Sequence, residues 1–205
     1  MTKVLIAALL AAASAFAQYK TEAAGAPPAE AAALAALLQK DGVKVAGPDG
    51  VTLELWLRVS LPSGGNASET NATLASIPHG ALLGVMRVTG AYADRRGLPI
   101  KAGLYSLRYS LFPINGDHQG VAPQRDFLIL SRLADDKDPN AAPAFDPLMD
   151  LSRKASGTPH PICLSIWKGG AGDNTLVKEG EHDFVLNTKA GGDAVSVILF
   201  GKSEG

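Results

Sequence analysis

Apolar and polar residues alternate with a period of two along most of the chain after Gly42. In 53–59 every second residue is Leu or Val, and in 105–111 every second residue is Tyr or Leu. Such alternation is typical of a β-strand with one buried face. Similar runs predict about eight strands, at 43–45, 53–59, 80–88, 105–111, 126–133, 161–167, 182–188 and 194–201.

The segments between these runs predict the fold class. They are rich in Gly, Pro, Asn and Asp, and most of them lack a helical pattern, which argues against parallel βαβ units. We therefore predict an all-β protein, an antiparallel β-sandwich of about eight strands. The polar loop 62–78 is expected to be a mobile surface loop, and the loop 134–159 to contain a short helical turn at 145–151.

The N-terminal region has a different pattern from the rest of the chain. Residues 18–28 are rich in Ala, Gly and Pro and predict a flexible leader. Pro27 and Pro28 open a predicted short helix at 29–40, with Gly42 as its stop. The predicted organisation is a leader and short helix over 18–42, followed by a single β-sandwich domain over 43–205.

The first seventeen residues have the three parts of a secretory signal peptide. Lys3 supplies a positive charge, 4–13 is an apolar run, and Ser14 to Ala17 place small residues at the positions that signal peptidase reads. We expect cleavage after Ala17 and export to the periplasm or the extracellular space. The apolar run is shorter than the roughly 20 residues of a transmembrane helix, so no membrane span is predicted.

The composition and charge of the chain limit the kinds of partner that it can bind. The chain has 205 residues and a formal net charge of −1. Its charges are scattered and form no basic stripe, which argues against a nucleic-acid partner. The only cysteine, Cys163, cannot form an intrachain disulfide and is interpreted as a small buried apolar residue.

The stronger catalytic motifs are absent from the sequence. It contains no G-x-S-x-G nucleophile elbow, no phosphate-binding P-loop, no H-E-x-x-H zinc helix and no C-x-x-C pair. No cofactor is predicted.

One group of residues at predicted strand ends remains a candidate site. Asp117 and His118 follow one strand, Arg125 and Asp126 open the next, and His160 precedes a third. Asp117, His118 and His160 could hold a metal ion, or Arg125 could bind an anionic ligand in a polar pocket. The alternative is structural, because Asn-Gly and Gly-Asp are turn sequences and an Arg–Asp pair at a strand start often anchors a loop by a salt bridge.

Several of these motifs together resemble a group of uncharacterised exported bacterial proteins. The resemblance is carried by Gly103-x-Tyr105-x-Leu107-Arg108-Tyr109, Gly116-Asp117-His118-x-Gly120, Arg125-Asp126-Phe127 and His160-Pro161. It implies export and a β-sandwich. It implies no activity and transfers no catalytic residue.

Three functions follow as hypotheses. The first is a non-catalytic β-sandwich that binds a small ligand, a glycan or an envelope protein, with Trp56 and Trp167 as aromatic candidates if they are not in the core. The second is a metal-dependent or acid–base enzyme centred on Asp117, His118 and His160. The third is a structural or assembly protein that adds strands at sheet edges.

Overall fold

The all-β class and the antiparallel pairing are confirmed by a computed structural model of the chain. The structure describes residues 19–66, 68–114, 122, 124–136 and 138–203. The predicted signal peptide lies outside these residues. Among the described residues, no helix has the length and apolar content needed to cross a bilayer.

Each of the eight predicted runs contains a strand, and the described residues form four further strands. The strands are β1 Lys20–Gly25, β2 Gly42–Ala46, β3 Thr52–Leu57, β4 Leu82–Thr89, β5 Tyr92–Ala93, β6 Pro99–Ile100, β7 Gly103–Leu111, β8 Asp126–Arg132, β9 Ile162–Lys168, β10 Thr175–Glu179, β11 Asp183–Ala190 and β12 Asp193–Phe200.

Ten of the strands form one continuous antiparallel sheet. Their order is β1-β2-β3-β4-β7-β8-β9-β12-β11-β10, while β5 and β6 form a separate pair. The two outer strands, β1 and β10, contact each other, so the sheet is nearly closed. The predicted sandwich and the count of eight strands are therefore not confirmed.

The alternating side chains fill the interior of this curved sheet. Leu53, Leu55 and Leu57 of β3 point inward and are at most 2 % exposed. Tyr105, Leu107 and Tyr109 of β7 are buried in the same cluster. Apolar burial of this kind supplies the main stabilising term of such a fold.

Connecting segments cover both ends of the sheet. Leu74 and Ile77, from the loop 62–78, join the interior cluster at one end, and Tyr92 and Ile100 of the β5–β6 hairpin join it at the other. The expectation of a mobile surface loop at 62–78 is wrong for this inner part, because its apolar side chains are buried in the core.

The N-terminal region also differs from expectation. Part of the predicted flexible leader forms β1, because its backbone pairs with β2 and the ring of Tyr19 stacks on Phe184, with centroids 3.8 Å apart. The sheet thus begins before the expected boundary at residue 43. The predicted helix is a shorter 3-10 helix, Ala29–Leu37, which ends where Leu38 forms a bridge with Arg58 of the sheet.

The 3-10 helix covers one part of the outer face of the sheet. Leu34 and Leu38 pack with Trp56, whose indole N–H donates to the carbonyl of Gly25 at 2.8 Å. A Cβ added to Gly42 would lie 2.5 Å from this indole nitrogen, so the close approach requires glycine. Trp56 is therefore a core residue and not part of an exposed ligand-binding face.

A second helix covers another part of the outer face. The predicted helical turn is confirmed and extends further, to α1, Phe145–Ser156. Leu148 and Met149 pack on Phe127 and Ile129 of β8. Ser152 lies where β8 and β9 separate, since its hydroxyl donates to the carbonyl of Leu130 and accepts from the Ile162 N–H.

A buried ion pair fixes the segment that leads to α1. Arg108 points outward from β7 but is only 1 % exposed, because Asp136, Asp138 and Ala141 contact its guanidinium from the outer side of the sheet. Its guanidinium binds both carboxylate oxygens of Asp136, at 2.6 and 2.7 Å. It also donates to the carbonyl oxygens of Gly80, Asp138 and Ala141. The bidentate pair and the backbone acceptors together satisfy the whole guanidinium.

Candidate functional site

The structure describes only three of the five predicted site residues. Asp117 and His118 lie outside the described residues, so the predicted metal site with His160 stays a prediction. Asp126 and Arg125 lie at the start of β8, whereas His160 precedes β9, whose residue Ile162 pairs with Leu130 near the other end of β8. Four strand residues, about 13 Å, separate these two levels of the sheet.

Asp126 is a completely buried carboxylate that holds the loop 62–78. One oxygen accepts the backbone N–H and the hydroxyl of Thr73, at 2.7 and 3.0 Å. The other accepts the Leu74 N–H at 3.0 Å and the Tyr109 hydroxyl at 2.6 Å. Both oxygens are thus engaged in hydrogen bonds within the fold.

Arg125 holds the same loop from the neighbouring position. Its guanidinium binds Glu69 at 3.0 Å and donates to the carbonyl oxygens of Thr70 and Phe112. These contacts match the structural alternative for the Arg–Asp pair, in which it anchors a loop. The salt bridge is with Glu69, however, and not with Asp126.

His160 lies at the edge of a groove that was not among the sites predicted from the sequence. The groove runs along the outer face of β8 and β9, beside α1, and has a volume of about 320 Å³. This lies at the lower end of the range for small-molecule sites, roughly 300–1,000 Å³. Its apolar lining includes Phe112, Pro113, Phe127, Ile129, Phe145 and Met149.

The position of α1 creates this groove. The helix covers Phe127 and Ile129 of β8 through Leu148 and Met149, and leaves Cys163 of β9 partly exposed at the groove floor. Phe145, at the start of α1, is 39 % exposed beside the opening. The sheet and the helix thus present an open apolar surface together.

One end of the groove is lined by arginines. Arg95, Arg96 and Arg153 lie there together with His160. Each arginine forms an ion pair with an aspartate, namely Asp183, Asp94 and Asp150 in that order. Arg96 donates to the carbonyl of Pro161 at 2.7 Å, and Arg153 donates to that of Pro159 at 3.1 Å. Both guanidinium groups are therefore held against the segment that contains His160.

Cys163 is a thiol and not an activated nucleophile. Burial raises its pKa to about 11, and this effect outweighs the opposing influence of the nearby Arg96. A reactive cysteine requires a lowered pKa, so the groove surface at Cys163 is neutral at physiological pH.

The sequence contained a signal for the groove that the alternation obscured. Phe127, Leu128, Ile129 and Leu130 are consecutive apolar residues, so β8 has two apolar faces. A strand that is apolar on both faces needs a cover on each. The interior cluster covers one face and α1 the other.

His79 is the other titratable residue in an unusual environment near the groove. Its Nδ1 lies 3.3 Å from the Ser110 hydroxyl, and its ring packs near Phe145 at a centroid distance of 5.9 Å. Its Nε2 is buried with no hydrogen-bond partner among the described residues. Burial lowers the pKa of His79, and the nearby backbone of Ala144 opposes this only in part.

This environment predicts a loss of stability at acid pH. The unfolded chain binds a proton at His79 near its ordinary pKa of about 6.5, while the folded chain resists protonation to a lower pH. The free energy of unfolding should therefore fall below about pH 6.5, by at most about 1.4 kcal/mol per pH unit from this residue. We expect His79→Gln to remove that part of the pH dependence in urea unfolding. His182→Gln is the matched control, because His182 is exposed. If the free energy of unfolding of His182→Gln varied with pH as little as that of His79→Gln, the assignment of the pH dependence to His79 would be contradicted.

The described residues contain no group of three or more His, Cys, Asp or Glu side chains placed to hold a metal ion.

Comparisons with known proteins identify no family for this chain. No protein-family model, no curated protein and no solved structure matches the chain.

Proposed function

We propose that this is an exported, non-catalytic binding protein that holds a small apolar ligand in the groove beside α1. Export rests on the signal peptide predicted at 1–17. The observation that carries the binding proposal is the groove itself, an open apolar volume of about 320 Å³ with polar groups at one end. Small-molecule sites have this combination of an apolar lining and a few polar groups that orient the ligand.

The exposed apolar side chains support this assignment. The large apolar residues that are exposed in the described part of the chain are Val59, Ile114 and Phe145. Phe145 lines the groove, and Ile114 follows Pro113, which also lines it. Val59 does not line the groove, so Phe145 is the exposed apolar residue that carries this support. Apolar surface exposed at a groove is typical of ligand-binding sites.

Cys163 provides a direct test because it is the only cysteine in the chain and lines the groove. We expect decanol, an uncharged apolar probe, to slow alkylation of Cys163 by iodoacetamide at about pH 9, where some thiolate exists. Mass spectrometry would measure the extent of alkylation. The control carries Cys163→Ser with Ala36→Cys, which places the thiol at an exposed position of the 3-10 helix on another part of the surface. Equal alkylation of Cys163 with and without decanol would contradict the proposal.

Two variants of Cys163 test whether the volume of the groove is needed for ligand binding. Cys163→Phe should fill part of the floor and weaken decanol binding by about tenfold, whereas Cys163→Ala should retain it. Calorimetry would measure the affinities, and thermal unfolding would show that both variants are folded. Undiminished binding by a folded Cys163→Phe protein would place the ligand elsewhere.

A further inference from the structure

We infer that the ligand of the groove is a single-chain amphiphile with a carboxylate head, such as a medium-chain fatty acid. Its chain would lie over Ile129, Met149 and Cys163, and its carboxylate would meet Arg96 and Arg153. This inference rests on the proposed function and deepens it by naming the chemical class of the ligand.

The charge at one end of the groove favours an anion. Within the described part of the chain, no carboxylate lines the groove. The acidic partners of the two arginines point elsewhere: the Asp94 side chain is 1 % exposed behind Arg96, and that of Asp150 is 72 % exposed to solvent. The surface that faces a bound ligand therefore presents guanidinium groups and no carboxylate among the described residues.

The two guanidinium groups are fixed in position but retain donors. Arg96 binds Asp94 and the Pro161 carbonyl through Nε and one Nη atom, and Arg153 binds Asp150 and the Pro159 carbonyl through two of its three nitrogens. Nη1 of Arg96 and Nη2 of Arg153 make no hydrogen bond with any described residue. Guanidinium groups held in this way are suited to carboxylate recognition, since little conformational freedom is lost on binding.

The size of the groove limits the chain. A volume of about 320 Å³ holds about ten non-hydrogen atoms if each takes roughly 30 Å³, the volume of one water molecule in the liquid. Phe112, Pro113 and Phe145 form the apolar end, away from the arginines. A fatty acid of about eight to ten carbons, which has about ten to twelve non-hydrogen atoms, would match both the volume and the separation of apolar and charged ends.

The test compares decanoate with decanol, using protection of Cys163 from alkylation as the readout. Decanoate should reach half-protection at a concentration about tenfold lower than decanol does, because its carboxylate gains charge-assisted hydrogen bonds. Arg153→Gln should weaken decanoate about fivefold and leave decanol unchanged. Lys154→Gln is the matched control, since Lys154 adjoins Arg153 on α1 but pairs with Asp135 away from the groove; it should change neither.

The outcomes separate this inference from the proposed function. Protection by decanol that equals protection by decanoate, or an Arg153→Gln variant that binds both as wild type does, would overturn the carboxylate assignment while leaving the groove as an apolar site. Protection of Cys163 by neither compound would overturn both the inference and the proposed function.

A series of fatty acids of increasing chain length tests the size argument. Protection of Cys163 should improve up to about ten carbons and then level off; continued improvement to sixteen carbons would contradict the size argument.

Discussion

Replacing Asp136 by Ala should destabilise the protein by about 3–5 kcal/mol, because it leaves the buried Arg108 guanidinium without its carboxylate. Arg108 is 1 % exposed and binds both oxygens of Asp136. The substitution also removes an acceptor of the Ser106 hydroxyl. Urea unfolding followed by circular dichroism would measure the change in the free energy of unfolding.

The neighbouring Asp135 provides a matched control. Its side chain is 31 % exposed and pairs with the exposed Lys154, so Asp135→Ala should cost less than about 1 kcal/mol. Replacing the pair together, Arg108→Met with Asp136→Leu, should recover much of the loss, because no uncompensated charge remains buried. If Asp136→Ala were within about 1 kcal/mol of wild type, the buried ion pair would not contribute to stability as described.

Replacing Asp126 by Ala should cost about 3 kcal/mol and loosen the loop 62–78 locally. The carboxylate accepts four hydrogen bonds, two from backbone N–H groups and two from hydroxyls. Hydrogen bonds to a charged group contribute about 1.5–3 kcal/mol each, and relaxation of the loop would offset part of this sum. Hydrogen exchange should show faster exchange at the amides of Thr73 and Leu74. The Lys168 amide, which donates to the Thr73 hydroxyl, should follow.

Tyr109→Phe is the graded control for this prediction. It removes one of the four donors and should cost only about 1 kcal/mol. Burial and the Asp126 carboxylate raise the pKa of Tyr109, so its hydroxyl remains a donor. If Asp126→Ala left exchange at Thr73 and Leu74 unchanged, contacts other than this carboxylate would hold the loop.

The alternation of apolar and polar residues predicted most of the strands, but it predicted less of the candidate functional site. The eight predicted runs contain strands because each presents an apolar face every second residue. β1 and β10 were missed because they are more polar outer strands of the sheet. Neither Lys20–Gly25 nor Thr175–Glu179 has a fully buried residue, and backbone pairing with the neighbouring strand places them in the sheet.

In the candidate site, too, the sequence predicted local positions but not contacts between distant residues. The positions of Arg125 and Asp126 at a strand start were predicted from sequence, but their partners in 69–74 were not, since the partners lie more than 50 residues away in the chain. The groove required α1 to be placed beside β9. No local pattern specifies on which side of a covered strand a surface remains open.

By itself, the sequence determined eight of the strands and which of their residues face the interior, because period-two alternation is a local property of the chain. It did not determine the fate of polar side chains on the outer face. Arg108 follows the same alternation as a solvent-exposed residue would, and only its contacts with Asp136, Asp138 and Ala141 bury it. The near-closure of the sheet and the apolar groove with arginines at one end likewise come from contacts between distant segments, whose positions depend on the packing of the whole fold.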